Sequence, residues 1–459
     1  MNPIASQFLI DATGKSADKE HQRKILFNIK KYDDTVKTGM LQFSDLEMAR
    51  ERASSIKTRV IENLDKYLTD FEKNISARGA KVIWAPDKYA ALREIDKILL
   101  RKNARLVVKS KSMTTEEIDL NEHLENKGME VIETDLGEFI VQLAGQKPYH
   151  IVTPAMHMSK EDVSDLFHKK LNIPKTNDPR QLTLAARNIL RDKYLNAQVG
   201  ITGANFLIAD IGGISLTENE GNARLSTTFP RTHIVIAGIE KIIPSLQDLS
   251  LFLPLLATRG TGQNVTVYNT ILSGPRQAEE TDGPDEMYVI LLDNGRTNLL
   301  EKEDKREALK CIRCGACLNA CPVYKNIGGH AYNTTYSGPI GSVITPHFRS
   351  MDDFNHLSFS SSLCGACTEV CPVKIELHKL LLLNRKETIT LGLSGNKENI
   401  GIWMWKYAMK DRSRLNKLKG NIKNSFLKIL FKASWGKRRK LPVVAIKSFN
   451  QLWRERRGK

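Results

Sequence analysis

All seven cysteines of this chain fall in two short runs: Cys311, Cys314, Cys317 and Cys321 before Pro322, and Cys364, Cys367 and Cys371 before Pro372. The first run has the C-x2-C-x2-C-x3-C-P spacing in which three thiolates hold one iron-sulfur cluster and the fourth reaches across to a second. Without gaps, CIRCGACLNACP (311–322) lies over SSLCGACTEVCP (361–372), and the one ligand position to change is the first, where Ser361 stands opposite Cys311. If ligands cross over as in two-cluster ferredoxins, Cys311, Cys314, Cys317 and Cys371 hold cluster I, while Cys321, Cys364 and Cys367 hold cluster II. Cluster II then lacks a fourth thiolate. Three outcomes stand open: a three-iron cluster, a four-iron cluster with an oxygen ligand such as Ser361, or an iron left to water or substrate. Two four-iron clusters, the second one labile, are the expected working form, and electron transfer is the expected task.

Other uses of these thiols fit less well. Structural zinc also takes paired C-x-x-C thiolates in fours, but tandem C-x2-C-x2-C-x3-C-P runs with following prolines are not the usual zinc layout. An odd number of closely packed cysteines does not suit a secreted disulfide scaffold, so a reducing compartment is implied. Gly315 and Gly365 allow tight backbone turns beside the sulfurs, and the prolines end each ligand loop.

A length of 459 residues suggests roughly three domains at about 150 residues each. No stretch reaches the roughly 20 consecutive apolar residues that span a bilayer, and the first residues show no basic region followed by a long apolar one. A cytoplasmic protein is expected, or one attached to the inner face of a membrane. Charge is concentrated at one end: residues 401–459 hold 18 Lys plus Arg against Asp411 and Glu455, +16 of the formal +17. There Trp403, Trp405, Phe426, Leu427, Ile429, Leu430, Phe431 and Trp435 interleave with Lys423, Lys428, Lys432 and the run Lys437, Arg438, Arg439, Lys440. Such an amphipathic basic tail is a candidate for an anionic membrane surface or an acidic partner subunit, against the plainer reading of a solvated helix pair. No nucleic-acid-binding fold is recognisable, and no nucleic acid is expected.

Residues 1–78 read as helical, with Leu46, Ala49, Ala53, Ile56, Val60, Leu64, Leu68 and Phe71 spaced by three and four and Ser44 as a cap. His21 reads as a surface residue. Residues 79–295 alternate strands with helices, the signature of a parallel sheet covered by helices. Strands are expected at 80–85, 104–110, 129–135, 149–154, 206–218, 233–238, 264–272 and 287–293. In such folds ligands sit beyond the carboxyl ends of strands, here the loops KSKSMTTEE, ENEGNAR and ATRGTGQN. The stretch Arg259, Gly260, Thr261, Gly262 is weak evidence for phosphate binding, because no complete GxGxxG or Walker pattern appears.

The series VVKSKSMTTEEIDLN, ADIGGISLTENEGNARL and HIVIAGIEKI, then the two cysteine runs with GHAYNTTYSGPIGSVITP between them, resembles the lactate-utilisation iron-sulfur subunit family, protein B of that system. The resemblance covers most of the chain. It implies oxidation of L-lactate to pyruvate by a complex of three different subunits, without a nicotinamide cofactor. It also implies a central α/β domain of the LUD type (79–295), similar to CoA-transferase folds. The family shares the SSLCGACTEVCP run, so Ser361 is no departure from it.

The remaining boundaries expected are an N-terminal helical region (1–78), an α-helical ferredoxin-type domain (296–395) and the basic tail (396–459). The helix-rich flanks of the cysteine runs favour that all-α form over a compact β-bearing ferredoxin. His330, Tyr332, Tyr336 and His347, in the insert between the runs, are candidates for tuning a cluster by hydrogen bonding. Glu218 and Glu220 are weak catalytic candidates, in a loop that faintly resembles the one carrying the nucleophile of CoA transferases. Lys109 and Lys111 are candidates to pair with a carboxylate. No flavin or nicotinamide fingerprint is present, which points to a subunit of an oxidoreductase rather than a complete enzyme. The alternative is an iron-sulfur redox sensor or assembly protein whose α/β domain binds a small anion.

Overall fold

The computed structural model describes residues 2–393, 395–416, 418–435 and 440–458. Its centre is a six-stranded, wholly parallel sheet in the order β1 (Lys81–Ala85), β10 (Glu286–Leu292), β7 (Thr232–Gly238), β4 (Val199–Thr202), β2 (Leu106–Lys109), β3 (Glu130–Glu133). Strand β7 is buried along its whole length, as an uninterrupted apolar run demands of a strand covered on both faces. Its side chains alternate between two cores. Ile234 and Ile236 join Ala91, Ile95 and Leu99 of the helix Lys88–Arg101 on one face, while Val235 and Ala237 join Leu68, Phe71 and Ile75 of the helix Leu64–Ser76 on the other. A second sheet, in the order β8 (Ile242–Ile243), β5 (Phe206–Ile208), β6 (Gly213–Glu218), β9 (Tyr268–Leu272), packs beside it.

The alternating pattern located most strands; besides the short unforeseen β8, four places differ. Residues 149–154 form a closed loop and not a strand. Pro148 and Pro154 bracket it without backbone donors, and the Tyr149 N–H turns back onto the Pro154 carbonyl at 2.9 Å. Residues 206–218 make a hairpin, β5 and β6, because Gly212 turns the chain at a φ of 60°. Strand β9 begins only at Tyr268, and β4 is an additional central strand in which Gly200 and Thr202 break up the apolar run. The segment Arg259, Gly260, Thr261, Gly262 is the end of the helix Leu249–Thr261 with Gly262 as its left-handed cap, not a phosphate loop.

Before the sheet come four helices, Pro3–Ala17, Lys19–Gly39, Leu46–Glu62 and Leu64–Ser76. The third is capped by Asp45 and not by Ser44, the Asp45 carboxylate accepting the Met48 N–H at 2.8 Å. His21 is buried, contrary to the expectation of a surface residue: its helix turns that face onto Tyr149, whose hydroxyl meets His21 Nε2 at 3.0 Å. Phe8, Ile25, Ile29 and Ile56 share one core with Leu318, Tyr324, Tyr332 and Ile344, so the N-terminal helices and the cysteine-bearing region are packed as one body. That region, from Arg296 on, contains helices and turns only among the described residues.

Two compact units result, Met1–Glu387 and Thr388–Lys459. The second holds the helices Asn396–Met409, Gly420–Trp435 and Phe449–Arg457. Within it Ile422, Phe426, Ile429 and Leu430 follow helical spacing and are all exposed, as are Trp403 and Trp405. Lys437, Arg438 and Arg439 lie outside the described residues. Among the described residues no helix is long and apolar enough to cross a membrane.

Candidate iron-sulfur centre and adjoining cavity

The two cysteine runs fold as the same loop. Arg313 and Leu363, at equivalent places, are left-handed at φ 61° and 56°, and Gly315 and Gly365 follow at 81° and 82°. In the first loop the Arg313 N–H donates to Cys311 Sγ at 3.4 Å. In the second the Leu363 N–H donates to Ser361 Oγ at 3.1 Å. The serine oxygen therefore takes the place and the hydrogen bond of the missing sulfur. Pro322 ends the first loop by opening the helix Pro322–Ile327.

The loops bring the thiols into two groups. Burial first, and then the charge of Cys371 and Cys311, pushes the Cys314 thiol far up; Cys317 is raised by burial and by Cys311, Cys314 and Cys371. Cys371 is pushed up to about 11 by burial, with Cys311 adding to the rise. Apart from these, burial raises Cys321 with a further push from Cys364, and raises Cys367 to about 11 with pushes from Cys321 and Cys364. Five of the seven are buried, Cys311 is half-buried and Cys364 is exposed. Among the described residues no three or more His, Cys, Asp or Glu side chains converge closely enough for one metal ion. Buried thiols that raise one another remain protonated in the absence of a cation, and iron reverses that balance by binding the thiolate. The donor set fits iron-sulfur ligation in chemistry and in grouping.

A frame of charges surrounds the first group. Arg50 holds the second loop to the helix Leu46–Glu62 by donating to the carbonyls of Cys371 (2.9 Å) and Glu369 (2.7 Å). Arg296, almost wholly buried, bridges Glu117 (two contacts of 2.9 Å) and Glu240, and Glu240 also meets Arg313 Nη2 at 3.2 Å. Tyr336 donates to Glu117 at 2.7 Å while its ring lies under the Arg313 guanidinium at 4.6 Å. Burial opposes the charge of Glu240, yet Arg296 and Arg313 hold it down at about 2. Lys57 is pushed down to about 7 by burial, its amine donating to the carbonyls of Glu240 (2.6 Å) and Ile242 (3.1 Å). Glu117 falls in the loop KSKSMTTEE and Glu240 in HIVIAGIEKI, yet no local pattern in the sequence marks them, Arg296 or Lys57 as partners of one another.

Beside this frame lies a cavity of about 400 Å³. It opens at the carboxyl ends of β2, β3 and β4, where the chain leaves β2 toward one sheet edge and β4 toward the other, the switch point at which such sheets bind ligands. All three loops expected from the sequence reach it, through Ser110 to Thr114, Glu218 to Ala223, and Gly260 with Thr261; the far wall is Arg313, Cys314 and Tyr336. Lys111, Glu218 and Glu220 line it. Glu218 accepts the backbone N–H groups of Ala223 (2.6 Å) and Arg224 (2.9 Å), so it serves the loop. Burial, then the charge of Asp135, pushes Glu220 up to about 7 while it accepts the Leu136 N–H at 2.9 Å.

Lys109 does not face the cavity. It is buried within the sheet between Glu133 (2.6 Å) and Glu116 (2.9 Å), because the pleat turns alternate residues of β2 inward, and it is not available to a substrate. Of the four tuning candidates, Tyr332 neighbours Cys321 and Cys317, whose charges add to the effect of burial in raising its pKa. Tyr336 joins the Glu117 frame, whereas His330 bonds the Lys147 carbonyl at 2.7 Å and His347 bonds Asn384 at 2.9 Å.

Residues 68–292 match the family model described as LUD domain, and residues 307–375 match that of the 4Fe-4S dicluster domain. The chain is 46% identical over 349 residues to Lactate utilization protein B of Bacillus licheniformis, covering 76% of this chain and 73% of that protein. The same protein of Bacillus subtilis is also 46% identical, with the same coverage. Uncharacterized electron transport protein YkgF of Escherichia coli is 44% identical over 359 residues, 78% of this chain and 75% of that one. The crystal structure of a DUF162 family protein from Deinococcus radiodurans aligns with 50% of this chain and 98% of that one at 16% identity and a TM-score of 0.29.

Proposed function

Given that the chain belongs to the lactate utilization protein B family, we propose that it is the iron-sulfur electron-transfer subunit of a nicotinamide-independent L-lactate dehydrogenase, oxidising L-lactate to pyruvate with two other subunits. In this reading Cys311, Cys314, Cys317 and Cys371 hold cluster I, and Cys321, Cys364 and Cys367 hold cluster II with Ser361 at its fourth corner. Each cluster, once bound, supplies a one-electron carrier. The chain's own residues set the conditions. Burial of Cys314 and Cys317 keeps water from one centre, the exposure of Cys364 opens the other to a partner, and the charge of Arg313 offsets that of the Cys311 thiolate. The exposed apolar stripe and positive charge of the tail favour peripheral contact with an anionic membrane face.

The division of the seven thiols into a four and a three, each drawing on both loops, carries this reading. Anaerobic iron and sulfide analysis of the full chain should give about eight irons, and the complex isolated with its partners should lose its cluster absorbance on addition of L-lactate. Colourless protein holding zinc would overturn the cofactor assignment. A complex indifferent to lactate would favour the sensor alternative.

A further inference from the structure

The acids and the cations lining the cavity differ in what they have left to give. Glu218 and Glu220 are engaged by backbone N–H groups as described, and the Asp135 carboxylate accepts the Glu138 N–H at 3.1 Å to cap a helix. The cations keep unused donors. Arg313, 7% exposed at its side chain, spends Nη2 on Glu240 and leaves Nε and Nη1 without a partner. Lys241, half-buried between β7 and β8, lines the cavity and feels the charges of Arg313, Glu240 and Cys311, with no side-chain hydrogen bond or ion pair among the described residues. Lys111 gives its amine to the Val152 carbonyl and keeps further protons for the cavity. Unspent buried donors are costly unless a ligand meets them, and planar guanidinium with ammonium is the pairing that seats a carboxylate.

We propose that this cavity is a binding site in the chain itself for a small 2-hydroxy or 2-oxo monocarboxylate, its carboxylate seated on Lys241 and Arg313 beside Cys314. The hydroxyl or oxo group of the acid then lies toward Glu220 and Lys111, which complete the cavity on the strand side. Glu220 accepts the Leu136 N–H through one carboxylate oxygen and keeps the other for the acid, while burial and the Asp135 charge raise its pKa. A three-carbon acid leaves room for ordered waters, each occupying about 30 Å³. The inference rests on the reading of the chain as a lactate-complex subunit for the identity of the acid, and on the unspent donors of Arg313, Lys241 and Lys111 for its charge.

The test is calorimetric titration of the anaerobic, iron-loaded full chain with L-lactate, pyruvate, 2-oxoglutarate, flavin mononucleotide and inorganic phosphate. Iron content is measured on the same samples. Pyruvate or L-lactate should bind one per chain, Lys241→Met should weaken that binding about ten- to a hundredfold, and Lys241→Arg should recover part of it. If Lys241→Met fails to fold, Lys111→Met carries the comparison, with a weakening of several-fold expected. As a second readout, pyruvate should shift the paramagnetic resonance of one reduced cluster and leave the other unmoved. Full iron content with no heat from either small acid, equal binding by the lysine variants, or preference for 2-oxoglutarate, the flavin or phosphate would overturn this site alone. Protein lacking iron yet binding pyruvate would instead overturn the electron-transfer reading and leave the site standing.

Discussion

Ser361 and Cys311 hold equivalent backbone positions and accept equivalent N–H groups, yet alkoxide oxygen binds iron less readily than thiolate at neutral pH because a hydroxyl gives up its proton far less easily. On brief exposure to air the native chain should therefore fall from about eight irons toward about four, while Ser361→Cys keeps about eight. Iron analysis with paramagnetic resonance reads the difference, and equal loss from both would separate Ser361 from the cluster. His233 allows a cleaner electrostatic forecast. It is buried in β7, its Nε2 meets Thr202 Oγ1 at 2.8 Å, its Nδ1 has no partner, and burial lowers its pKa from 6.5 to about 3. The unfolded chain takes up a proton below pH 6.5 that the fold refuses until about pH 3. Stability is thus full above 6.5 and falls with pH through that window, by about 1.4 kcal/mol per unit. Urea denaturation at pH 7 and pH 5 should show His233→Gln losing roughly 1 to 2 kcal/mol less than the native chain; equal losses would place the acid sensitivity elsewhere.

Helices carry two further forecasts. The helix Leu46–Glu62 grips the second cysteine loop through Arg50, whose guanidinium closes on two carbonyls. Arg50→Ala should cost roughly 1 to 3 kcal/mol in denaturant unfolding and quicken iron release from the centre that includes Cys371. The helix Gly420–Trp435 leaves Ile422, Phe426, Ile429 and Leu430 in solvent beside its lysines. Cosedimentation with phosphatidylserine vesicles should be strong at low salt, weakened by high salt, and lost in Ile429→Glu. Binding unaffected by Ile429→Glu would mean that charge alone holds the tail.

Across the first compact unit, the feature that joins the sheet to the cysteine region is a buried chain of charges, Glu117, Arg296, Glu240 and Arg313. Arg296→Met would leave two carboxylates buried without their shared cation, a loss of roughly 3 to 5 kcal/mol. It should appear as a single lowered transition for the sheet and the iron centres together. Separate transitions would show that the frame is not what couples them.

What local pattern carries is short-ranged. The cysteine spacing, the apolar runs of β1, β2, β3, β7 and β10, and the helical repeat from Leu46 to Phe71 are local signals, and each was readable in advance because run length, period and ligand spacing are set by backbone geometry. Residues 149–154 were misread as a strand for the converse reason. Their apolar side chains are buried in a loop, and burial alone does not distinguish a loop from a strand. The loops that meet at the cavity were foreseen, but not that Arg313 and Cys314 close its far side. That closure joins segments far apart in the chain, and no periodicity reports which distant faces will meet. The same holds for Lys109, whose charge suggested a substrate partner and whose place in the pleat gave it Glu133 instead. Packing decides which charges are spent inside the protein and which remain for a ligand, since only the assembled fold fixes the distance between an amine and a carboxylate.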